Sequence, residues 1–170
     1  MKNLFLLLAF ISPSVFAGVT THYLIEPKPS EMLVLVKVKV GGLPTGYPPE
    51  IEIAKDYGSA TDFYRDVKGL RVTFPSGISL KNPIENQMAI PYKWITDKNM
   101  DEGRFEYEYA IQIHQEMQGK VRFKPSLNAK NYYSSGFPVF IYPSNLVEQF
   151  NVEFQLPSDW REITSLSKVR

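Results

Sequence analysis

Two stretches of the sequence alternate apolar and polar residues, and this alternation limits the fold more than any other feature. Residues 104–114, RFEYEYAIQIH, place large apolar side chains at every second position: Phe105, Tyr107, Tyr109, Ile111 and Ile113. Residues 32–40, MLVLVKVKV, do the same with valines at 34, 36, 38 and 40. A period of two residues is typical of a β-strand with one buried face. Both stretches are therefore predicted to be half-buried strands.

Further short segments are predicted to be strands, because they are apolar and are bounded by residues that favour turns. These segments are residues 50–54, 70–74, 121–123, 137–142 and 150–156. The Pro- and Gly-rich residues 41–49 are predicted to be a hairpin connection, and residues 75–91 to hold loops and edge strands. Phe63, Tyr64 and Val67 have helical spacing, which predicts a single short helix or tight turn within residues 55–69.

The set of predicted elements indicates an all-β fold. Several short strands at this spacing favour an antiparallel β-sandwich of about eight to ten strands, with at most one short helix. The sequence has no internal repeat and no linker between domains. Residues 18–170 are therefore expected to form one β-sandwich domain.

The first 17 residues have the pattern of a secretory signal peptide. Lys2 supplies the positive charge, residues 4–11 form an apolar core, and Val15-Phe16-Ala17 fits the rule for signal cleavage. The apolar core is far shorter than the ~20 residues of a membrane-spanning helix. Cleavage before Gly18 is expected, with export to the periplasm or the extracellular space.

Charge and cysteine content narrow the function. The 19 basic residues include Lys2, so the processed chain has 18 basic and 18 acidic residues. This balance gives no electrostatic support for a nucleic-acid partner or, after signal cleavage, for a membrane partner. The chain has no cysteine, which excludes disulfides, thiolate metal ligands and a cysteine nucleophile.

His114 begins a segment, HQEMQ, that resembles the zinc-binding motif H-E-x-x-H. That motif requires glutamate at 115 and histidine at 118, but the chain has Gln115 and Gln118. The motif also requires a helix, whereas the alternation in residues 104–114 predicts a strand. His114 is therefore predicted to be a polar residue at a strand end and not a zinc ligand.

Residues 97–108 partly match a calcium-binding loop. Asp97, Asn99 and Asp101 stand at positions 1, 3 and 5, and Glu108 stands at position 12. The required turn glycine is replaced by Glu102. We therefore predict a polar loop that leads into the strand, and no cofactor is predicted for this chain.

The aromatic residues between 131 and 145 form the strongest candidate for a binding surface. Exposed tyrosines there could stack on sugars or peptides, or form an interface between domains. Phe140 is better suited to the core. The candidate substrate or interface residues are Tyr132, Tyr133, Phe137 and Tyr142.

Five segments, in this order and spacing, resemble the N-terminal domain of the glycyl aminopeptidase family of zinc metallopeptidases. They are VGGLPTG, EIEIAKDYGSATDFYRDVKGLRV, FEYEYAI, NYYSSGFPVFIYPSN and VEFQLPSDWREITSL. The resemblance covers nearly all of residues 20–166. It implies a β-sandwich that precedes a catalytic domain of the gluzincin type, in which the zinc ligands and the catalytic base lie.

No zinc ligand or catalytic base of that family has a counterpart in this chain, so no catalytic residue is assigned and this chain alone is not expected to be catalytic. The resemblance implies a non-catalytic N-terminal domain of an exported zinc aminopeptidase. Such a domain would pack on a downstream catalytic domain and help to shape the cleft for a peptide substrate. The alternative is a free-standing exported β-sandwich module that binds a peptide, a glycan or a protein partner.

Overall fold

Two β-sheets of unequal size enclose the core of the protein. The computed structural model describes residues 18–54, 62–82, 92–100, 103–114, 124–135, 138–144 and 147–161. These residues contain two short 3-10 turns, Pro29–Glu31 and Phe63–Asp66. They also contain eleven strands: β1 Val19–Lys28, β2 Leu33–Gly41, β3 Glu50–Ile53, β4 Val67–Phe74, β5 Leu80–Lys81, β6 Tyr92–Thr96, β7 Arg104–Gln112, β8 Ser126–Leu127, β9 Tyr132–Tyr133, β10 Tyr142–Pro143 and β11 Val147–Phe154.

The larger sheet has five strands in the order β11-β1-β2-β7-β4. The strands β2 and β7, which both have the clear alternation, are antiparallel neighbours. Their register places Val38 opposite Tyr107 and Val36 opposite Tyr109, so both apolar faces point to the same side of the sheet. All the alternating apolar residues of β7 are buried. The pair β1–β11 is parallel, unlike the other pairs of this sheet.

The outer face of the five-stranded sheet is charged. Lys37 and Arg71 lie on either side of Glu108 in the register, and the Arg71 guanidinium pairs with the Glu108 carboxylate. Arg104 pairs with Glu106 on the same strand. These polar side chains are the second half of the alternation that the sequence shows, and they keep this face in contact with solvent.

The smaller sheet has four antiparallel strands in the order β10-β3-β6-β5. Its Ile51 and Ile53 are fully buried in the same core as the valines of β2. The strands β8 and β9 form a separate two-stranded sheet. Its turn is closed by a hydrogen bond from the Asn128 amide to the Asn131 carbonyl.

Three buried tyrosines of the larger sheet hold the segment that leads into β10. The hydroxyls of Tyr23 and Tyr107 both donate to the carbonyl of Ile141, at 2.9 and 2.7 Å. The Tyr109 hydroxyl donates to the Val139 carbonyl at 2.6 Å and accepts from the Ile141 amide at 3.0 Å. Burial raises the pKa of each of the three tyrosines above its ordinary value, so each hydroxyl keeps its proton for donation.

These hydrogen bonds explain where the structure departs from the predicted strand at residues 137–142. Of the described residues 138–144, only Tyr142 and Pro143 belong to a strand. The preceding backbone groups of Val139 and Ile141 bind tyrosine side chains and not a neighbouring strand. Val139 and Ile141 are nevertheless buried, and Phe140 packs edge-on against Tyr23 with ring centroids 4.8 Å apart, so the expected core role of Phe140 is met in part.

The predicted all-β sandwich is confirmed, with the helical content limited to short turns among the described residues. Strands β1, β6, β8 and β9 are additional to those expected from the sequence. The short helix or tight turn predicted within residues 55–69 is a 3-10 turn that ends at Asp66, where the β-branched Val67 begins β4. The predicted signal peptide and the predicted strand at 121–123 lie outside the described residues. None of the described helical segments is long and apolar enough to cross a membrane.

Candidate functional site

The four predicted site residues are distributed over different elements. Tyr132 and Tyr133 form β9, Tyr142 begins β10, and Phe137 lies outside the described residues. Successive side chains of a strand point to opposite faces, so Tyr132 and Tyr133 cannot share one surface. In the part of the chain that the structure describes, no ring contact joins Tyr133 to Tyr142. The three predicted residues that the structure describes are therefore not joined into one aromatic cluster.

Tyr132 has its hydroxyl buried beneath the C-terminal segment. It borders a cavity of about 90 Å³ that is also lined by Phe154, Leu156 and Trp160. The Trp160 indole donates to the Ala129 carbonyl at 3.3 Å, which holds this segment against the β8–β9 hairpin. Burial raises the pKa of Tyr132 above its ordinary value. Tyr132 is thus a packing residue, whereas 60% of the Tyr133 surface is exposed.

Tyr142 lies at one end of a charged row on the outer face of the smaller sheet. It is opposite Glu52 in the register, and Glu52 is opposite Lys93. The Lys93 ammonium lies 3.5 Å from the carboxylate of Glu52 and 3.5 Å from that of Glu50. Two carboxylates therefore share one ammonium group. Burial raises the pKa of Tyr142, and the neighbouring Glu52 carboxylate raises it further.

A larger cavity, of about 350 Å³, lies next to this row. Its polar end is formed by Glu50 and Ser144, whose hydroxyl lies 3.2 Å from the Glu50 carboxylate. Phe105 of β7 forms part of its apolar lining and is fully buried. Most of the remaining wall comes from the proline-rich stretch between β2 and β3: Leu43, Pro44, Tyr47, Pro48 and Pro49.

Sequence patterns did not indicate this cavity. The proline-rich stretch was predicted to be a hairpin connection, and the glutamates of β3 have the spacing of ordinary solvent-facing residues. One feature of the sequence is consistent with a cavity here: residues 44–49 contain three prolines and a tyrosine, and this makes the loop unusually apolar and rigid.

His114 contacts a buried carboxylate. As predicted, it lies just beyond the end of β7, and its Nε2 is 3.1 Å from the Asp66 carboxylate. The ammonium of Lys124 is 2.6 Å from the other oxygen of Asp66. The side chain of Asp66 is buried, so this cluster ties the 3-10 turn at Phe63–Asp66 to the end of β7.

The partial calcium loop has other partners at two of its four positions. The Asp97 carboxylate accepts from the Ser79 amide at 2.9 Å, and Glu108 pairs with Arg71. Asp101 lies outside the described residues. Among the residues that the structure describes, no three histidines or carboxylates are grouped as metal ligands would be.

Comparison with known proteins identifies a shared fold. No protein-family pattern matches the sequence, and no curated protein sequence matches it. Among the solved structures that match is an aminopeptidase N family protein from Idiomarina loihiensis, with a TM-score of 0.60 and 13% sequence identity. The match covers 82% of this chain and 22% of the other chain. This chain therefore has the same fold as one part of a much longer protein of the aminopeptidase N family.

Proposed function

We propose that residues 18–170 form the non-catalytic N-terminal domain of an exported zinc aminopeptidase. In this proposal the domain packs on a catalytic domain that follows it in the same polypeptide and helps to shape the substrate cleft. The observation that supports it best is the structural match, because a nearly whole copy of this fold occurs as a fraction of an aminopeptidase N family chain. The order of sequence segments that resembles the glycyl aminopeptidase family supports the same assignment.

The proposal assigns different tasks to the two parts of the polypeptide. Zinc, its ligands and the catalytic base belong to the later domain. The sandwich supplies a surface for this contact, and Tyr133 is the most exposed of the predicted interface residues that the structure describes. Tyrosine is among the residues that are enriched at protein interfaces.

The proposal is tested by comparing the complete open reading frame with the 170-residue chain. Both proteins are purified, and their hydrolysis of glycyl and alanyl chromogenic substrates is measured with and without a chelator. The complete protein is expected to be active, to lose activity on chelation and to regain it with zinc. The 170-residue chain is expected to be inactive. Chelator-sensitive activity in the short chain, or an inactive complete protein without zinc, would contradict the assignment.

The exposure of Tyr133 also supports the alternative of a free-standing binding module. A Tyr133→Ala variant of the 170-residue chain distinguishes the two. A free-standing module is expected to bind glycans or peptides in a calorimetric titration and to lose that binding in the variant. A domain of a larger enzyme is expected to give no heat with either ligand class, while the variant weakens its contact with the catalytic domain.

A further inference from the structure

We propose that the cavity between the proline-rich loop and β10 binds the side chain of an arginine or lysine that a separate peptide ligand supplies. The proline-rich loop consists of residues 43–49. This inference goes beyond the proposed function, because it assigns a ligand class to a site of this domain and does not depend on a zinc enzyme.

The cavity walls are held in place before any ligand arrives. Backbone hydrogen bonds attach the loop to Met100 and Gly103. The Leu43 amide donates to the Gly103 carbonyl at 3.2 Å, the Gly46 amide to the Met100 carbonyl at 2.7 Å, and the Met100 amide to the Tyr47 carbonyl at 3.1 Å. The opposite wall is held by the Ser144 amide, which donates to the Glu50 carbonyl at 3.0 Å. A wall that is already ordered loses little conformational entropy when a ligand binds.

The lining of the cavity suits the stem of a long side chain. The three prolines of the loop offer apolar contacts, and Tyr47, which also lines the cavity, has 70% of its surface exposed. Lysine and arginine pack their methylene groups on such surfaces while the charged group remains at a polar site. The ring of Tyr47 can also contact a cation face-on, which adds attraction.

The polar end of the cavity selects a positive charge. Glu50 lines the cavity, and it shares the single ammonium of Lys93 with Glu52, so the three groups together carry an excess negative charge of one. Lys98, which lies on the neighbouring segment, is directed to the Gly77 carbonyl at 2.8 Å. A second cation beside Glu50 would complete the pairing of both carboxylates in a site that is partly screened from water.

The volume of the cavity is also suited to an amino-acid side chain, and it is too large for a single ion. About 350 Å³ holds an arginine side chain with part of a neighbouring residue, and it lies at the small end of the range for ligand cavities. A peptide with an apolar residue next to its basic residue therefore fits best.

The experiment titrates the ¹⁵N-labelled 170-residue chain with acetyl-leucyl-arginine amide and follows backbone amide shifts. Both ends of this probe are blocked, so the guanidinium is its only charge. The matched probe has citrulline, which keeps the shape of arginine without its charge. We expect saturable shifts at the amides of Gly46, Ile51 and Ser144. The citrulline probe is expected to bind at least about tenfold more weakly, as for the loss of one charge-assisted hydrogen bond.

Variants locate the binding. Glu50→Gln is expected to weaken binding of the arginine probe about tenfold, and Tyr47→Ala about threefold. Glu153→Gln, an exposed carboxylate paired with His22 on the larger sheet, is the matched control and is expected to leave binding unchanged. Equal binding of the citrulline probe, or no saturable shift at the three amides, would overturn the proposal. The comparison of the two probes needs only the unaltered chain, so it stands even if Glu50→Gln does not fold.

Discussion

The hydroxyl of Tyr109 is predicted to contribute more to stability than that of Tyr107, although both are buried on the same face of β7. The Tyr109 hydroxyl serves two backbone groups, the Val139 carbonyl and the Ile141 amide. The Tyr107 hydroxyl serves the Ile141 carbonyl, which also accepts from Tyr23. Tyr109→Phe therefore removes the hydroxyl partner of two buried groups, while Tyr107→Phe leaves the shared carbonyl with a donor.

The expected difference follows from the cost of a buried polar group that has lost its partner. Each such group costs about 1–3 kcal/mol, so Tyr109→Phe is expected to lower the free energy of unfolding by about 3–4 kcal/mol. Tyr107→Phe is expected to lower it by about 1 kcal/mol, the net value of an ordinary hydrogen bond. The substitution is the same in both variants, and neither leaves a cavity larger than one oxygen atom.

Equilibrium unfolding in urea measures both values. With a denaturant slope of about 2 kcal/mol per molar urea, the midpoint of Tyr109→Phe is expected to lie about 1 M below that of Tyr107→Phe. Tyr133→Phe changes an exposed side chain and serves as the control, with an expected change within about 0.5 kcal/mol. If the two buried variants differ by less than about 0.5 kcal/mol, the reasoning from hydrogen-bond partners is refuted.

Three other predictions concern charge and processing. Burial raises the folded-state pKa of the buried tyrosines above the unfolded value near 10, so their protonated hydroxyls contribute fully to stability below pH 10 and lose that contribution above it. Above pH 10, urea unfolding should show stability falling by up to about 1.4 kcal/mol per pH unit for each tyrosine. The fall should be shallower in Tyr109→Phe, and an equal fall in this variant would contradict the role given to the Tyr109 hydroxyl. In the same assay, Lys124→Met should lower the free energy of unfolding by about 3 kcal/mol, because it leaves the buried Asp66 carboxylate without its closest cation. His114→Gln, at a more exposed position, should lower it by about 1 kcal/mol or less. Equal losses in the two variants would contradict this prediction. Mass spectrometry of the exported protein should find Gly18 as the first residue, and retention of the apolar leader would contradict the predicted cleavage.

The strands that the sequence predicted best are those in which local pattern and tertiary environment agree. In β7 the alternation identified each buried residue, because one face meets the core and the other meets water. Residues 138–141 have a similar apolar character but no neighbouring strand. Their partners are hydroxyls from Tyr23 and β7, and contacts between such distant residues leave no local pattern.

The candidate site shows the same limit more strongly. Tyr132 and Tyr133 are adjacent and chemically identical, yet one is packed beneath Trp160 and the other faces solvent. The pairing of Lys93 with both glutamates of β3 depends on the register of β3 and β6, which the sequence does not specify. The parallel pairing of β1 with β11 joins strands from opposite ends of the described chain, so no local sequence pattern predicts it.

The proposed role as a domain of a zinc aminopeptidase is tested most directly by the coding sequence that follows the codon for Arg170. The proposal predicts an uninterrupted reading frame that encodes an H-E-x-x-H motif and a later glutamate, the residues needed to bind zinc and activate water. A stop codon at this position, with no such motif in the adjoining sequence, would contradict it.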